Sequence, residues 1–183
     1  QYTHFGKKHQ LSKLFTVKHF KEYVPIHEYS DLLPYIERML HGEPNVLWNS
    51  PVHWFAKSSG TTSEKSKFIP VSEESLQYNH YKASKDILTN YYKNFPSSNL
   101  LAGKGLVVGG SHQVSKLEDD IQYGDLSAVL MQNSPFWGQW IRTPELSIAL
   151  MDDWENKIEM LAQTTAQENV TSLAGVPTWT LLL

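Results

Sequence analysis

Apolar residues recur at helical spacing in several stretches of the chain. The clearest stretch follows Ser30 and Asp31, and its apolar positions are Leu32, Leu33, Ile36, Met39 and Leu40. This spacing predicts a helix with one buried face, and Gly42 suits its C-terminal end. Pro34 falls in the expected first turn, where its missing N–H costs least. A shorter helix is predicted after Thr16, a good N-cap residue.

Two further start signals precede longer helical patterns. Ser72 is suited to cap a helix that continues to about residue 92. Thr143, Pro144 and Glu145 combine a cap, an N1 proline and an acidic first turn, which predicts a second long helix. The apolar positions of that helix are Ile148, Met151, Trp154, Ile158 and Leu161.

Short apolar runs alternate with these helices and predict strands. Residues 54–57 and 68–70 are two such runs, and the second is expected to stop at Pro70. Residues 105–109 and 169–174 are the others, and a short helix is predicted after the last run. The order of strands and helices predicts an α/β fold, with a layered mixed sheet flanked by helices.

Composition narrows the class of protein. The 183 residues are 40% hydrophobic, which is typical of a globular chain with a real core. A net charge of −3 disfavours a nucleic-acid partner, since such modules normally present a basic surface. No apolar run approaches the roughly 20 residues of a membrane span, and no signal peptide is recognisable, so we expect a cytoplasmic protein without a membrane partner. The histidines are dispersed and cysteine is absent, so no metal site is predicted.

One loop stands out chemically. Residues 58–63 are all Ser, Gly or Thr, and Lys65 and Lys67 follow them before apolar residues resume. Backbone N–H groups and hydroxyls in such a loop can form a concave site for anionic oxygens, and a lysine adds a mobile positive charge. A plain surface loop with solvated lysines is the alternative from composition alone. The loop is not a P-loop, because no second glycine precedes a lysine.

Residues 58–62, Lys67 and Pro70 resemble the phosphate loop of adenylate-forming enzymes. More narrowly, the pattern is similar to the auxin-responsive-promoter (GH-three) family of acyl acid–amido synthetases, in its bacterial type. The flanking segments that carry the resemblance are residues 24–29, 34–38, 42–44, 153–155 and 174–179.

The resemblance implies the N-terminal part of an adenylate-forming fold and an ATP-dependent ligase. Such an enzyme adenylates a carboxylic acid and transfers the acyl group to an amine, such as an amino acid, with ATP and Mg²⁺ as cofactors. Lys67 would be the catalytic cation at the phosphates. The residues that would cradle the phosphates are Ser58, Ser59, Gly60, Thr61 and Thr62. Val176 and Trp179 would line the acyl pocket, with Trp179 equally well explained as core.

The resemblance also leaves alternatives open. Family members are more than twice as long, so we expect residues 1–183 to be a truncated N-terminal portion of one large adenylation domain, inactive alone and without a separate second domain. A thioester-forming ligase that uses coenzyme A, or a non-catalytic module that retains this lobe, would share the same features. Glu64 stands where related loops often carry glycine, which would weaken ATP binding if its carboxylate faced the phosphates. The acid, the acceptor and the oligomeric state are not predictable from this sequence.

Overall fold

The computed structural model of the chain describes residues 2–58, 66–109, 114–118 and 120–181. The chain divides into two compact units. The first comprises Gln1–Glu73 and Ser115–Tyr123, and the second comprises Glu74–Val114 and Gly124–Leu183.

The described helices and strands follow one another in mixed order. The helices are α1 (His4–Lys8), α2 (Val17–Tyr23), α3 (Tyr29–Leu40), α4 (Lys82–Asn94), α5 (Leu126–Gln132), α6 (Leu146–Ala149), α7 (Trp154–Thr165) and α8 (Pro177–Thr180). The strands are β1 (Trp54–Lys57), β2 (Phe68–Val71), β3 (Lys104–Val108), β4 (Ser115–Glu118), β5 (Ile121–Gly124), β6 (Arg142–Thr143) and β7 (Val170–Gly175). Short 3₁₀ turns occur at Leu11–Lys13 and Phe136–Gln139, and a π-helical segment, Ser75–Tyr81, precedes α4.

The first unit is built around a sheet with the strand order β2-β1-β5-β4. Strands β1 and β2 pair antiparallel, and so do β4 and β5. Strand β2 runs to Val71, so the expectation that it stops at Pro70 is wrong by one residue. An edge strand tolerates proline at a position where the backbone N–H would point away from the neighbouring strand, because no hydrogen bond of the sheet is then lost. The β4–β5 hairpin was not predicted.

The predicted helix after Thr16 is confirmed as α2, with the Thr16 hydroxyl accepting the His19 N–H at 3.1 Å. Helix α3 is also present, but it begins at Tyr29 rather than after Asp31. The carboxylate of Asp31 accepts the Glu28 N–H at 2.9 Å, so Asp31 caps the helix from inside its first turn. Pro34 therefore lies beyond the first turn, contrary to expectation.

The buried face of α3 forms the core of the first unit. Its buried residues Ile36, Met39 and Leu40 pack with Phe55 of β1 and with Val46 and Ile121. Apolar burial of this kind is the main stabilising contribution to a small unit. It fixes α3 against the sheet that carries the candidate loop.

The second unit contains a parallel sheet with the order β6-β3-β7. The predicted strands at residues 105–109 and 169–174 are confirmed within one residue as β3 and β7, and Val108 lies opposite Gly175 in the ladder. Leu106, Val108, Ile148 and Leu161 form the buried cluster of this unit. Together with the antiparallel pairs of the first unit, this sheet confirms the α/β class with both kinds of strand pairing.

The long helix predicted from Thr143 is wrong. Thr143 is 1% exposed and ends β6, where it lies opposite Leu106. Two helices follow, α6 and α7, and the Asp153 carboxylate caps α7 by accepting the Asn156 N–H at 3.2 Å. Strand pairing with a distant segment thus overrides a locally favourable helix start.

The helix predicted after Ser72 runs through the π-helical segment into α4 and ends at Asn94. Among the residues that the model describes, no helix has both the length and the apolar character needed to cross a membrane.

Candidate functional site

The base of the candidate phosphate loop is a closed hairpin. Lys57 and Phe68 are the last paired residues of β1 and β2, and the ladder continues one step further. There the Ser58 N–H donates to the Lys67 carbonyl at 2.9 Å, and the Lys67 N–H donates to the Ser58 hydroxyl oxygen at 3.0 Å. The segment between Ser58 and Lys67 is therefore held at both ends by two hydrogen bonds.

The interior of that segment lies outside the described residues. This applies to the predicted phosphate ligands Ser59, Gly60, Thr61 and Thr62, and to Glu64. Of the predicted set, the structure brings together Ser58 and Lys67. The Ser58 amide belongs to the hairpin ladder, whereas its hydroxyl can still donate a proton to a ligand oxygen.

Tyr29 secures the strand that follows the loop. The Phe68 N–H donates to the Tyr29 hydroxyl at 3.0 Å, and the same hydroxyl donates to the Phe68 carbonyl at 3.3 Å. The Lys67 ammonium lies 5.5 Å from the centroid of the Tyr29 ring, within the range of a cation–π interaction. Lys67 is half-buried, so its charge is partly shielded from water.

A second lysine lies beside the hairpin base. The exposed side chain of Lys57 has its ammonium 5.8 Å from the centroid of the Tyr123 ring, and that ring contacts the Phe68 ring edge-on at 5.3 Å. Two ammonium groups therefore flank the hairpin base. Two cations near one loop increase the local attraction for an anion.

Sequence reasoning missed Lys57, Tyr29 and Tyr123. Lys57 immediately precedes the loop, and its position was the one available signal. The two tyrosines are distant in sequence, and only folding brings them to the hairpin.

The predicted acyl-pocket residues lie at one strand–helix junction in the second unit. Val176 follows β7 and precedes α8, and its carbonyl accepts the Trp179 N–H at 2.9 Å. The Val176 side chain is 42% exposed. Trp179 is half-buried against the cluster of Leu106, Val108, Ile148 and Leu161. The junction thus offers one accessible apolar side chain beside a tryptophan that contributes to the core.

A buried lysine lies near the end of β3 in the same unit. Lys157 on α7 is 1% exposed, and its ammonium donates to the Gly109 carbonyl at 3.2 Å. It also lies 5.6 Å from the centroid of the Trp154 ring, which is 5.5 Å from the Trp179 ring. Burial lowers the pKa of Lys157, and the charge of Asp152 partly opposes that effect. Sequence reasoning did not identify this residue.

None of the described His, Asp and Glu side chains assemble into a group of three or more that could hold a metal ion. Mg²⁺ commonly takes only one or two carboxylates and obtains the rest of its oxygens from phosphates and water.

Comparison with known proteins identifies relatives among amido synthetases. The chain is 47% identical over 58 residues to the probable indole-3-acetic acid-amido synthetase GH3.13 of Oryza sativa subsp. japonica, covering 31% of the chain and 12% of that relative. It is 31% identical over 118 residues to the jasmonoyl–L-amino acid synthetase JAR6 of Nicotiana attenuata, covering 64% and 20%. The chain therefore matches only a fifth or less of the length of either relative. Since both relatives are plant proteins, the expected bacterial type stays a prediction.

A solved structure has the same fold. The GH3.15 acyl acid amido synthetase superposes with a TM-score of 0.71 over 94% of the chain and 30% of that protein, at 21% identity. This match shows that the chain shares its fold with part of that protein. A family model described as the GH3 family N-terminal domain matches residues 1–182. The chain belongs to the GH3 family, and it corresponds to the N-terminal domain of that family.

Proposed function

We propose that this chain is the N-terminal portion of a large adenylation domain in an ATP-dependent ligase that forms amides. A carboxylate oxygen of the acid attacks the α-phosphorus of ATP, and the bond to pyrophosphate breaks to give an acyl-adenylate. An amine nitrogen then attacks the acyl carbon, AMP leaves, and the amine loses a proton. Two observations support this proposal. One is the family match over residues 1–182, and the other is the pair of hydrogen bonds between Ser58 and Lys67 that closes the base of the hairpin.

The hairpin residues suit the first half-reaction. Negative charge accumulates on the α-phosphate as it is attacked, and preorganised donors and cations stabilise it. In this proposal Lys67 neutralises the phosphate, and the Ser58 hydroxyl donates to one of its oxygens. Ser59, Gly60, Thr61 and Thr62 provide the remaining donors of the loop.

The environment of Lys67 favours this role. The Tyr29 ring attracts the Lys67 ammonium without adding a formal negative charge. Partial burial further strengthens the attraction between the ammonium and an anionic ligand, because the local dielectric constant is lower than in water.

The acid and the acceptor are proposed from the relatives and from the second unit. The relatives named above are indole-3-acetic acid-amido and jasmonoyl–L-amino acid synthetases, so we propose a small acid with an apolar body and an amino acid acceptor. Val176 and Trp179 form one wall of the acid pocket, with the exposed Val176 side chain in contact with the acid. Mg²⁺ accompanies ATP, held chiefly by the phosphates and by groups outside the described residues.

The direct test is pyrophosphate–ATP exchange by the intact ligase that carries this segment, with a panel of aromatic and aliphatic carboxylic acids. We expect exchange that requires one class of acid, and amide formation when amino acids are added. Replacing the amino acids by coenzyme A separates the alternatives, because a thioester product would identify the other type of ligase. A folded protein that shows no exchange with any acid would instead indicate a non-catalytic module.

The same assay examines the isolated chain. We expect residues 1–183 alone to show no turnover, since the structural relative is more than three times as long as the matched part. Exchange by the isolated chain at a rate near that of the intact enzyme would contradict this expectation.

A further inference from the structure

Tyr29 makes three contacts at the base of the candidate phosphate hairpin. Its hydroxyl bonds both backbone groups of Phe68, and its ring lies beneath the Lys67 ammonium. We propose that Tyr29 is a positioning residue for phosphate binding, which fixes the first residues of β2 and orients Lys67. The inference rests on the proposed function and extends it to a residue that does not itself contact substrate.

The Tyr29 hydroxyl forms hydrogen bonds with the backbone of β2 on the side that faces away from β1. Among the strands that the structure describes, β2 is at the edge of its sheet, so one side of its backbone pairs with none of them. Exposed N–H and C=O groups at such an edge pair with water or with another polar group. A phenol hydroxyl can accept and donate at once, and Tyr29 does both, with the N–H and the C=O of Phe68.

The hydroxyl thereby acts on Lys67 through the backbone. Phe68 directly follows Lys67, and the Lys67 amide and carbonyl are already bonded to Ser58. With Phe68 clamped on the opposite side, the backbone at this end of the loop is held from both directions. Fixed backbone directions leave the Lys67 side chain fewer orientations to search when phosphate binds.

The ring supplies the second constraint. The Lys67 ammonium is 5.5 Å from the ring centroid, so the aromatic face attracts the charge and limits where the flexible lysine stem can go. Lysine otherwise loses considerable rotamer freedom on ordering, and an oriented side chain avoids part of that loss during binding.

Tyr29 is itself held by a rigid element. It is the first residue of α3, whose start is fixed by the bond from the Glu28 N–H to Asp31. Ile36 and Met39 of the same helix are buried in the core with Phe55 of β1. The side chain that contacts Phe68 and Lys67 is therefore carried by a helix that is packed into the core.

The test uses the intact ligase with Tyr29→Phe and Tyr29→Leu, and with Tyr35→Phe as the matched control. Tyr35 lies on the same helix, is also half-buried, and its hydroxyl accepts a hydrogen bond from Lys8 at 3.1 Å rather than contacting the hairpin. Circular dichroism melting verifies that each variant is folded. The rate measured is pyrophosphate exchange at varied ATP and at varied acid.

We expect Tyr29→Phe to lower kcat/KM for ATP about threefold to tenfold, the usual loss for one neutral hydrogen-bonding group. Tyr29→Leu removes the ring as well, and its loss should be larger, about tenfold to fiftyfold. KM for the acid should change less than about twofold in both variants, and Tyr35→Phe should resemble wild type. A general loosening of the fold would raise KM for both substrates alike.

A double variant tests whether Tyr29 acts through Lys67. In a Lys67→Ala background, the further effects of Tyr29→Phe and Tyr29→Leu should both shrink to less than about twofold, because neither the hydroxyl nor the ring then has a lysine to orient. If the wild-type enzyme shows exchange and Tyr29→Phe has the same effect as Tyr35→Phe, the inference about Tyr29 is overturned while the ligase proposal stays intact. Absence of exchange in the wild type would overturn both.

Discussion

Two lysines in this chain lie at nearly the same distance from an aromatic ring, but they differ in how deeply they are buried. The Lys67 ammonium lies 5.5 Å from the Tyr29 ring centroid, and the Lys157 ammonium lies 5.6 Å from the Trp154 ring centroid. Lys67 is half-buried at the base of a hairpin, whereas Lys157 is 1% exposed and bonded to the Gly109 carbonyl. Contact with a ring therefore does not distinguish a lysine proposed to bind phosphate from a structural one.

Accessibility makes the distinction. A lysine that neutralises phosphate must be reachable by the ligand. Lys157 is unreachable from solvent, and burial lowers its pKa because the charged form is poorly solvated. Its contacts join α7 to the end of β3, so we assign it a structural role. Lys67 has the accessibility that phosphate binding requires.

The largest expected effect is a difference in enzymatic rate between variants of the two lysines. Lys67→Ala should lower pyrophosphate exchange by the intact ligase about 10²-fold or more, since a lost transition-state donor commonly costs that much. Lys157→Met keeps an unbranched side chain that is one atom shorter, and it should change the rate less than about threefold when assayed at a temperature where the variant is folded. A change below about threefold in Lys67→Ala would show that Lys67 is not a phosphate ligand.

Lys57→Ala is the matched control for charge near the hairpin. Lys57 is exposed and flanks the same hairpin base, so its loss removes one positive charge from the same neighbourhood. We expect a loss of about twofold to fivefold, and it should diminish at high salt because exposed charges are screened. Equal losses from Lys57 and Lys67 would indicate a general electrostatic field instead of a specific ligand.

The next largest expected effect is a difference in the free energy of unfolding between variants of the two lysines. Lys157→Ala should lower the free energy of unfolding by about 2–4 kcal/mol, because it leaves a cavity and removes the donor to the Gly109 carbonyl. Lys67→Ala should lower it by less than about 1 kcal/mol, the usual size of a partly exposed cation–π contact. Urea denaturation of both variants measures the difference, and comparable losses would contradict the structural assignment of Lys157.

The contrast also shows which features the sequence could predict. Local signals succeeded where a short segment determines its own structure, as with the Thr16 cap, the strand at residues 105–109 and the two strands around the loop. The α/β class followed from the order of these segments. The GH3 resemblance, confirmed by the family match, extended the prediction to function.

The failures have one physical cause, which is contact between distant residues. Thr143 has every local feature of a helix cap, yet it pairs with Leu106 in a parallel sheet. The Tyr29 hydroxyl reaches Phe68 from 39 positions away, so no local pattern reveals it. Lys157 resembles a solvated lysine in sequence and becomes buried only when α7 packs on β3. Candidate site residues could be proposed from a motif, whereas the residues that contact them from distant parts of the chain could not.

A third prediction concerns packing at the strand ends near Lys157. A methyl group added at Gly175 would lie 2.9 Å from both the Cβ and the carbonyl oxygen of Val108, which is closer than real contacts allow. Gly175→Ala should therefore lower the free energy of unfolding by about 1–3 kcal/mol. Gly138→Ala is the control, since its nearest contact would be an ordinary 3.8 Å from Ser134, and it should lie within about 0.5 kcal/mol of wild type. Equal effects would show that the end of β7 is loosely packed.

The smallest expected effect is a difference in pH dependence between wild type and Lys157→Met. The pKa of Lys157 is lower in the folded chain than its ordinary value of 10.5, because burial disfavours the ammonium. Between these two pKa values the unfolded chain binds more protons than the folded chain, so stability rises with pH in that window. The penalty for the buried charge is complete below the folded pKa and is relieved as pH rises through it.

Urea midpoints measured from about pH 8 to about pH 10 should therefore rise more, or fall less, in wild type than in Lys157→Met. All other titrating groups are common to the two proteins, so they cancel from the difference. If Lys157→Met followed wild type across this range, the Lys157 ammonium would be as well solvated as that of an exposed lysine, and the physical distinction between the two lysines would be lost.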